Sequence, residues 1–316
     1  MAILVGHDTR VLSQGMTGWA GTYHTNRMMQ YGTRIVAGVT PGKGGTSHID
    51  VPVFDRVAEA MRETRANASI VFVPPDRAAG AMIEAIEAEM PLVVTVTERI
   101  PVLDMVRVRE ALRGSRTRLV GPNSQGVLAP EMCQIGVMAT DRARRGSIGV
   151  VSRSASLTSE VVKQITDQGL GQSTTVGIGG DPVHGIGFVD CLKLFSDDPQ
   201  TAAVVLIGEI GGDEEQKVAD YLRATSMKKP VVALVAGRYA PPRRRMGHAG
   251  TLTMRDDGDA GGKIAALADA GATIAASAHL VGTTLHEVLA KKGLVPRSGA
   301  GAGKPATISG AALGLR

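Results

Sequence analysis

The chain has 316 residues, 43% of them hydrophobic, enough to bury one large core or, more naturally, two of ordinary domain size. Aromatic residues make up only 3%, and the formal charge of +5 is scattered with no basic run beyond three residues, which argues against nucleic acid and for a small phosphorylated ligand. Cys133 and Cys191 stand far apart without zinc-type spacing or a disulfide framework, and no apolar run reaches the roughly 20 residues of a membrane span, so a reduced, cytoplasmic protein is expected.

Residues 10–14 read as a strand that runs into Gly15-Met16-Thr17-Gly18-Trp19-Ala20-Gly21, with a helix following from about residue 22. A strand, a glycine turn and a helix N-terminus gather unpaired backbone N–H groups and the positive end of the helix dipole, which together suit an anion. The next strand, residues 34–39, ends in Thr40-Pro41-Gly42-Lys43-Gly44-Gly45-Thr46. A dinucleotide fold that holds NAD needs an acidic residue here for the ribose hydroxyls, so Lys43 argues for a phosphate beside the ribose instead, as coenzyme A carries. A basic surface turn is the plainer alternative.

Strands over 69–75, 92–98 and 118–120 alternate with helical patterns over 78–88 and 103–112. That alternation predicts a doubly wound parallel sheet whose ligand lies beyond the C-terminal strand ends, with the Thr17, Lys43 and Thr97 loops sharing one crevice.

The rhythm restarts after Arg142-Ala143-Arg144-Arg145-Gly146. A strand over 147–151 leads through Ser152-Arg153-Ser154-Ala155-Ser156 into a helix over 157–168, where the serines cap the helix or bind an oxyanion. A strand closing in Gly177-Ile178-Gly179-Gly180-Asp181-Pro182 follows, and another over 202–207 closes in Gly208-Glu209-Ile210-Gly211-Gly212. The strand over 231–237 leads to Arg243-Arg244-Arg245-Met246-Gly247-His248-Ala249-Gly250. Small neighbours leave the His248 imidazole free to act as a nucleophile, and Glu209, at a neighbouring strand tip, is the candidate to orient it and raise its basicity.

These motifs together resemble the alpha subunit of the succinate-CoA ligase family, over about residues 1 to 290. The match is carried by Gln14-Gly15-Met16-Thr17-Gly18, Gly38-Val39-Thr40-Pro41-Gly42-Lys43-Gly44-Gly45, Gly121-Pro122-Asn123, Val151-Ser152-Arg153-Ser154, the glycine clusters at 176–182 and 207–212, and Arg245-Met246-Gly247-His248-Ala249-Gly250. Malate-CoA ligases and other acid-CoA ligases of the wider family share nearly all of them.

The resemblance implies an α/β chain: a Rossmann-like CoA-binding domain over 1–127, a flavodoxin-like parallel α/β domain over 128–295 and a flexible Gly/Ala-rich tail over 296–316. It implies that Thr17, Gly18, Trp19, Ala20, Lys43, Val96, Thr97 and Glu98 contact CoA. His248 would be the phosphohistidine with Glu209 beside it, and Asn123, Ser154, Ala155, Ser156 and Ser159 would face the phosphate and the acid. The implied partner is a beta subunit whose ATP-grasp domain binds ATP or GTP with magnesium, in an alpha-beta heterodimer or heterotetramer. No metal site is expected in this chain. A non-catalytic CoA-binding regulator that kept the fold is the alternative from another class. An NAD oxidoreductase, with nicotinamide at Gly15–Gly21, is opposed by the Lys43 loop.

One segment departs from the family. Where its members usually carry Ser-Gly-Thr-Leu-Thr-Tyr-Glu, this chain has Ser154-Ala155-Ser156-Leu157-Thr158-Ser159-Glu160. Ser159 replaces a tyrosine associated with the acid site, Ala155 replaces a glycine, Ser124 replaces the usual cysteine, and His184 is uncommon in its loop. These changes suggest a dicarboxylic acid that is succinate or a larger or more polar relative.

Overall fold

The computed structural model describes residues 2–225, 227–241, 244–251 and 258–294. The expected tail over 296–316, and Arg243 of the arginine run, lie outside the described residues.

The first half alternates strand and helix: β1 (Arg10–Gln14), α1 (Trp19–Tyr31), β2 (Arg34–Val39), β3 (Ser47–His48), β4 (Val51–Phe54), α2 (Val57–Thr64), β5 (Ala68–Val71), α3 (Pro75–Glu87), β6 (Leu92–Thr95), α4 (Val102–Ala111) and β7 (Arg118–Val120). Of these, β3, β4 and α2 add to the expected elements, and α1 begins three residues earlier than expected. The sheet runs β3-β4-β2-β1-β5-β6-β7, parallel except for the β3–β4 pair. The chain therefore reverses direction of travel at the β1/β5 boundary, the place where a doubly wound sheet opens a crevice. Two expectations are corrected here. β5 stops at Val71 and α3 begins at Pro75, because proline suits the first helical turn, and β6 stops at Thr95, which leaves Val96, Thr97 and Glu98 in the loop beyond the strand.

The second half comprises β8 (Gly126–Ala129), β9 (Cys133–Gly136), β10 (Arg145–Ser152), α5 (Ala155–Asp167), β11 (Gln172–Gly177), α6 (Phe188–Asp197), β12 (Ala203–Glu209), α7 (Glu214–Thr225), β13 (Val231–Ala236), α8 (Ala260–Asp269), β14 (Thr273–Ile274) and α9 (Val281–Lys291). Its sheet runs β14-β13-β12-β10-β11-β8-β9. The first five of these pair in parallel, and the β8–β9 hairpin adds to β11 antiparallel. Residue 127, where the first domain was expected to end, falls inside β8. The hairpin was not anticipated: its two four-residue strands are buried on both faces and show no alternation to read.

Alternation along the central strands sends side chains into two cores. In β12, Ala203, Val205 and Ile207 join Ile148, Val150, Val161, Ile165 and Leu285 on one face. Val204 and Leu206 join Phe188, Phe195, Val151 and Val176 on the other, in a cluster that continues through Val127 and Ile135 to Val11 and Val94 of the first sheet. Each large side chain fully buried there contributes about 1.5–3 kcal/mol, so the shared cluster fixes the two sheets against each other. Hydrogen bonds from Ile3 N to Thr174 Oγ1 (3.1 Å) and from Thr33 Oγ1 to the Gln134 carbonyl (2.8 Å) reinforce the junction. Both cysteines are buried and free, and burial pushes the Cys133 thiol up to about 12.

Candidate functional site

All parallel strands of a sheet deliver their C-terminal loops to one edge, so in the second half the ends of β10, β11, β12 and β13 converge. β12 ends on Glu209 itself, two residues later than the sequence suggests. The β13 loop returns as a 3-10 turn, Ala249–Thr251, which is held by Thr251 Oγ1 accepting from Met246 N at 3.0 Å. This presents His248 against Glu209.

His248 Nδ1 lies 2.8 Å from Glu209 Oε2 and 3.0 Å from Oε1. The carboxylate can only accept, so Nδ1 carries the hydrogen and Nε2 keeps its lone pair. No described residue hydrogen-bonds Nε2. The contact with Glu209 holds the His248 pKa above that of an ordinary imidazole, against burial and the Arg153 charge, which act downwards.

Glu209 is itself buried, and Arg153 supplies the opposing charge: its Nε donates to Glu209 Oε1 at 3.0 Å and its Nη2 to the Asp181 carbonyl at 3.1 Å. Arg153 is only 7% exposed; its motif helps to carry the family resemblance, but nothing in the sequence signals that it pairs with Glu209. Gly180 closes the pocket from the β11 side, because a Cβ at that position would overlap the His248 ring. The glycine cluster after β11 thus serves close approach to a side chain. Gly211, with φ of 85°, plays a similar part towards the Gly250 carbonyl.

Asn123 links this site to the first sheet. Its Nδ2 donates to Asp181 Oδ1 at 3.0 Å while its backbone N donates to the Thr97 carbonyl at 2.9 Å.

In the first sheet, Gly15 takes φ of 78° and Gly18 caps α1, with Gly18 N donating to the Gly15 carbonyl at 3.1 Å. A Cβ at Gly21 would overlap that same carbonyl, so the turn requires glycine at both ends. Thr17, Gly18, Trp19 and Ala20 therefore sit at the start of a 13-residue helix beyond the end of β1. Lys43 Nζ donates to Thr17 Oγ1 at 3.2 Å, which brings the two loops together as expected. Asp55, which sequence reasoning missed, sets the Lys43 loop by accepting from Gly42 N (2.7 Å) and Gly44 N (2.9 Å); these bonds hold its carboxyl below the usual range. Thr97, in the loop that follows β6 at the same edge, donates instead to the Val73 carbonyl at 2.8 Å, with no hydrogen bond to Thr17 or Lys43 among the described residues. Trp19 is 83% exposed and stacks flat on Tyr23 at 5.8 Å.

The expected acid-site residues are less gathered. Ser154 caps α5, its Oγ accepting from Leu157 N at 3.3 Å and lying 3.4 Å from Ser156 Oγ. Ser159 is exposed and donates back to the Ala155 carbonyl at 3.4 Å. Among the described residues, no hydrogen bond joins Ser154, Ala155, Ser156 or Ser159 to His248. Ser124 is buried and donates to the Gly177 carbonyl at 2.5 Å, a structural bond. His184 lines a separate 340 Å³ cavity with Arg109, Glu214 and Lys217, and burial lowers its pKa. The described arginines of the basic run are exposed, and Arg245 Nε donates to the Gly247 carbonyl at 3.4 Å.

Comparison with known proteins agrees with this division. Residues 7–99 match the CoA binding domain family and residues 151–273 the CoA-ligase family. The chain is 48% identical, over 294 residues, to the alpha subunits of ADP-forming succinate–CoA ligase of Staphylococcus epidermidis and Staphylococcus aureus, covering 93% of this chain and 97% of theirs. In fold it is similar to the ATP citrate lyase of Methanothrix soehngenii, with a TM-score of 0.85 and 23% identity over 95% of this chain and 53% of that longer one. It is also similar to the dinucleotide-forming acetyl-coenzyme A synthetase 1 of Ca. Korarchaeum cryptofilum, with a TM-score of 0.71 and 19% identity over 87% of this chain and 60% of that one. The regulatory alternative is not favoured by these relationships, and the chain belongs to the alpha subunits of the succinate–CoA ligase family.

Proposed function

We propose that His248 is the phosphoryl carrier of this acid–CoA ligase and that Glu209 is its orienting partner. The observation that carries the reading is the Glu209 carboxylate on Nδ1, itself anchored by Arg153, which leaves Nε2 as the nucleophilic nitrogen. In the first step His248 Nε2 attacks the terminal phosphorus of a nucleoside triphosphate; the N–P bond forms, the bond to the bridging oxygen breaks and the diphosphate leaves. A carboxylate oxygen of the acid then takes the phosphoryl group as the N–P bond breaks, giving an acyl phosphate. Attack of the CoA sulfur on the acyl carbon expels phosphate and forms the thioester. Glu209 stabilises the positive charge that develops on the ring in the first step and is withdrawn in the second.

Coenzyme A is the thiol substrate of the family, and the residues of the first sheet suit it. The Gly15–Gly21 turn and the α1 N-terminus offer backbone donors to a phosphate, and Lys43 beside Thr17 offers a cation near the ribose phosphate. Val96, Thr97 and Glu98 follow β6 at the same sheet edge, and Asn123 joins their loop to Asp181. That link supports passage of the thiol from the CoA crevice towards His248. The N-terminus of α5, with Ser154, Ala155 and Ser156, is the nearest anion-stabilising element in sequence to Arg153.

The triphosphate, ATP or GTP with magnesium, binds on a beta subunit with an ATP-grasp domain, and the two chains work as an alpha-beta heterodimer or heterotetramer. The acid is a small dicarboxylate, succinate in the named relatives. Incubation with the partner subunit, magnesium and terminally labelled ATP or GTP tests the reading: an acid-labile, alkali-stable label is expected on the wild type and none on His248→Asn. A wild-type chain that takes no label, or a variant that takes as much, overturns it.

A further inference from the structure

Behind Glu209 lies an ion pair with no part in the chemistry above. Lys263, in the first turn of α8, and Glu215, in the first turn of α7, are both fully buried. The Lys263 ammonium donates to a Glu215 carboxylate oxygen, to the Glu209 carbonyl at 2.9 Å and to the Gly211 carbonyl at 2.5 Å. An ammonium has three donors, and each one here has a partner. Glu215 Oε1 in turn accepts from the Glu209 backbone N–H at 3.0 Å. One ion pair therefore grips Glu209 by its N–H and its carbonyl together.

A buried pair is a poor means of gaining stability, because desolvating two charges offsets their attraction and apolar side chains of the same shape generally serve as well. What it supplies here is direction. The strand tip runs into Gly211 and Gly212, with φ of 85° and 63°, the residue type with the widest conformational freedom. Residue 208 is also glycine, and a Cβ there would overlap Glu215 Oε1, so the carboxylate is fitted against the strand itself. Gly211 N donates to the Gly258 carbonyl at 2.8 Å, which ties the same tip to the segment that precedes α8.

We propose that Lys263 and Glu215 are positioning residues that fix the Glu209 main chain, so that its carboxylate meets His248 Nδ1 and Arg153 together. The proposal rests on the reading of His248 as the phosphoryl carrier. Its alternative is a purely structural staple between α7 and α8, for which the direction of the Glu209 carboxylate is immaterial.

The test is the full chain carrying Lys263→Met and Glu215→Leu together, with three readouts: CoA affinity, NMR titration of the His248 ring, and the rate of His248 labelling with the partner subunit. The groups facing the ring are Glu209, Arg153 and Asp181. The variant is expected to bind CoA within about twofold of wild type, to titrate His248 at lower pH, and to label about 10–100-fold more slowly, the scale of loss that a misplaced catalytic group brings. Glu215→Gln, which keeps an acceptor for the Glu209 N–H but loses the charge facing Lys263, is expected to fall in between. A folded double variant with unchanged titration and labelling overturns the proposal. If the double variant does not fold, unchanged titration and labelling in Glu215→Gln overturn it equally. The titration needs no phosphoryl transfer: a ring midpoint that moves in a chain that never takes label would refute the carrier reading and leave the positioning of Glu209 standing.

Discussion

The Glu209 carboxylate is shared between two cations of different permanence: His248 Nδ1 at 2.8 Å, which is charged only when protonated, and Arg153 Nε at 3.0 Å, which is always charged. Arg153 lies against the carboxylate as a permanent counter-charge, and the carboxylate raises the His248 pKa. The stabilisation that this coupling adds is fully present below the ordinary imidazole pKa, about 6.5, and is lost as pH rises through the raised folded value. Glu209→Gln is therefore expected to lose more stability against wild type at pH 5.5 than at pH 9, measured by urea unfolding. The same variant should reach its plateau of His248 labelling at lower pH, since less base is needed to free Nε2, but at a lower rate. Identical pH profiles for the two proteins would disprove the coupling.

Arg153 is the other half of that arrangement. Arg153→Met leaves a buried carboxylate without its permanent counter-charge, a change that costs about 3–5 kcal/mol. Arg153→Met combined with Glu209→Gln removes the stranded charge and is expected to be more stable than Arg153→Met alone. Urea midpoints of the three variants decide; strict additivity of the two single losses would contradict the shared-carboxylate account.

Gly180 offers a steric probe of the same pocket. The methyl group of Gly180→Ala would overlap the His248 ring, so the imidazole must move away from Glu209. Labelling is expected to fall at least about 100-fold with CoA affinity retained, because the change lies in the loop after β11, away from the Thr17 and Lys43 loops, and misplaces the reacting group. Labelling within a few fold of wild type would mean that the ring has room to spare.

How far the sequence reaches is clear from these residues. The strand-loop-helix rhythm placed Glu209 at a strand tip and His248 in the loop after a neighbouring strand, and the parallel topology brings both to one sheet edge. The pairings of Arg153 and Lys263 were not legible, because Arg153 reads only as part of a motif and Lys263 as one of many lysines; only the fold puts Arg153 against Glu209, 56 positions away, and Lys263 against Glu215, 48 positions away. Gly180 looked like one more loop glycine, since its requirement comes from a ring 68 positions further on. The β8–β9 hairpin escaped for a different reason, because strands buried on both faces carry no period-two signal.

Lys43 tests the first sheet. Its ammonium, held beside Thr17 by a 3.2 Å hydrogen bond, is the cation best placed for a ribose phosphate. Lys43→Ala is expected to weaken CoA binding about tenfold, equivalent to about 1.4 kcal/mol, and to weaken dephospho-CoA binding much less. Calorimetry with the two ligands checks this. Equal losses for both would move the phosphate contact elsewhere in the crevice.

Ser159 carries the question of the acid. It lies one turn into α5, exposed, and among the described residues its hydroxyl bonds to the Ala155 carbonyl of its own helix at 3.4 Å. A hydroxymethyl group in that place leaves open the volume that the ring of the family's usual tyrosine would fill, and Ala155 returns only one methyl group of it. On the proposed placing of residue 159 beside the acid, loss of the ring is expected to admit acids larger or more polar than succinate. Ser159→Tyr should restore discrimination, raising kcat/KM for succinate relative to malate and itaconate. The difference of one side chain in a pocket is worth about 10–200-fold, so the ratio should move by at least tenfold. An acid panel run on both proteins with the partner subunit measures it. If the wild type already prefers succinate by a wide margin and Ser159→Tyr leaves the ratio unchanged, residue 159 has no part in choosing the acid.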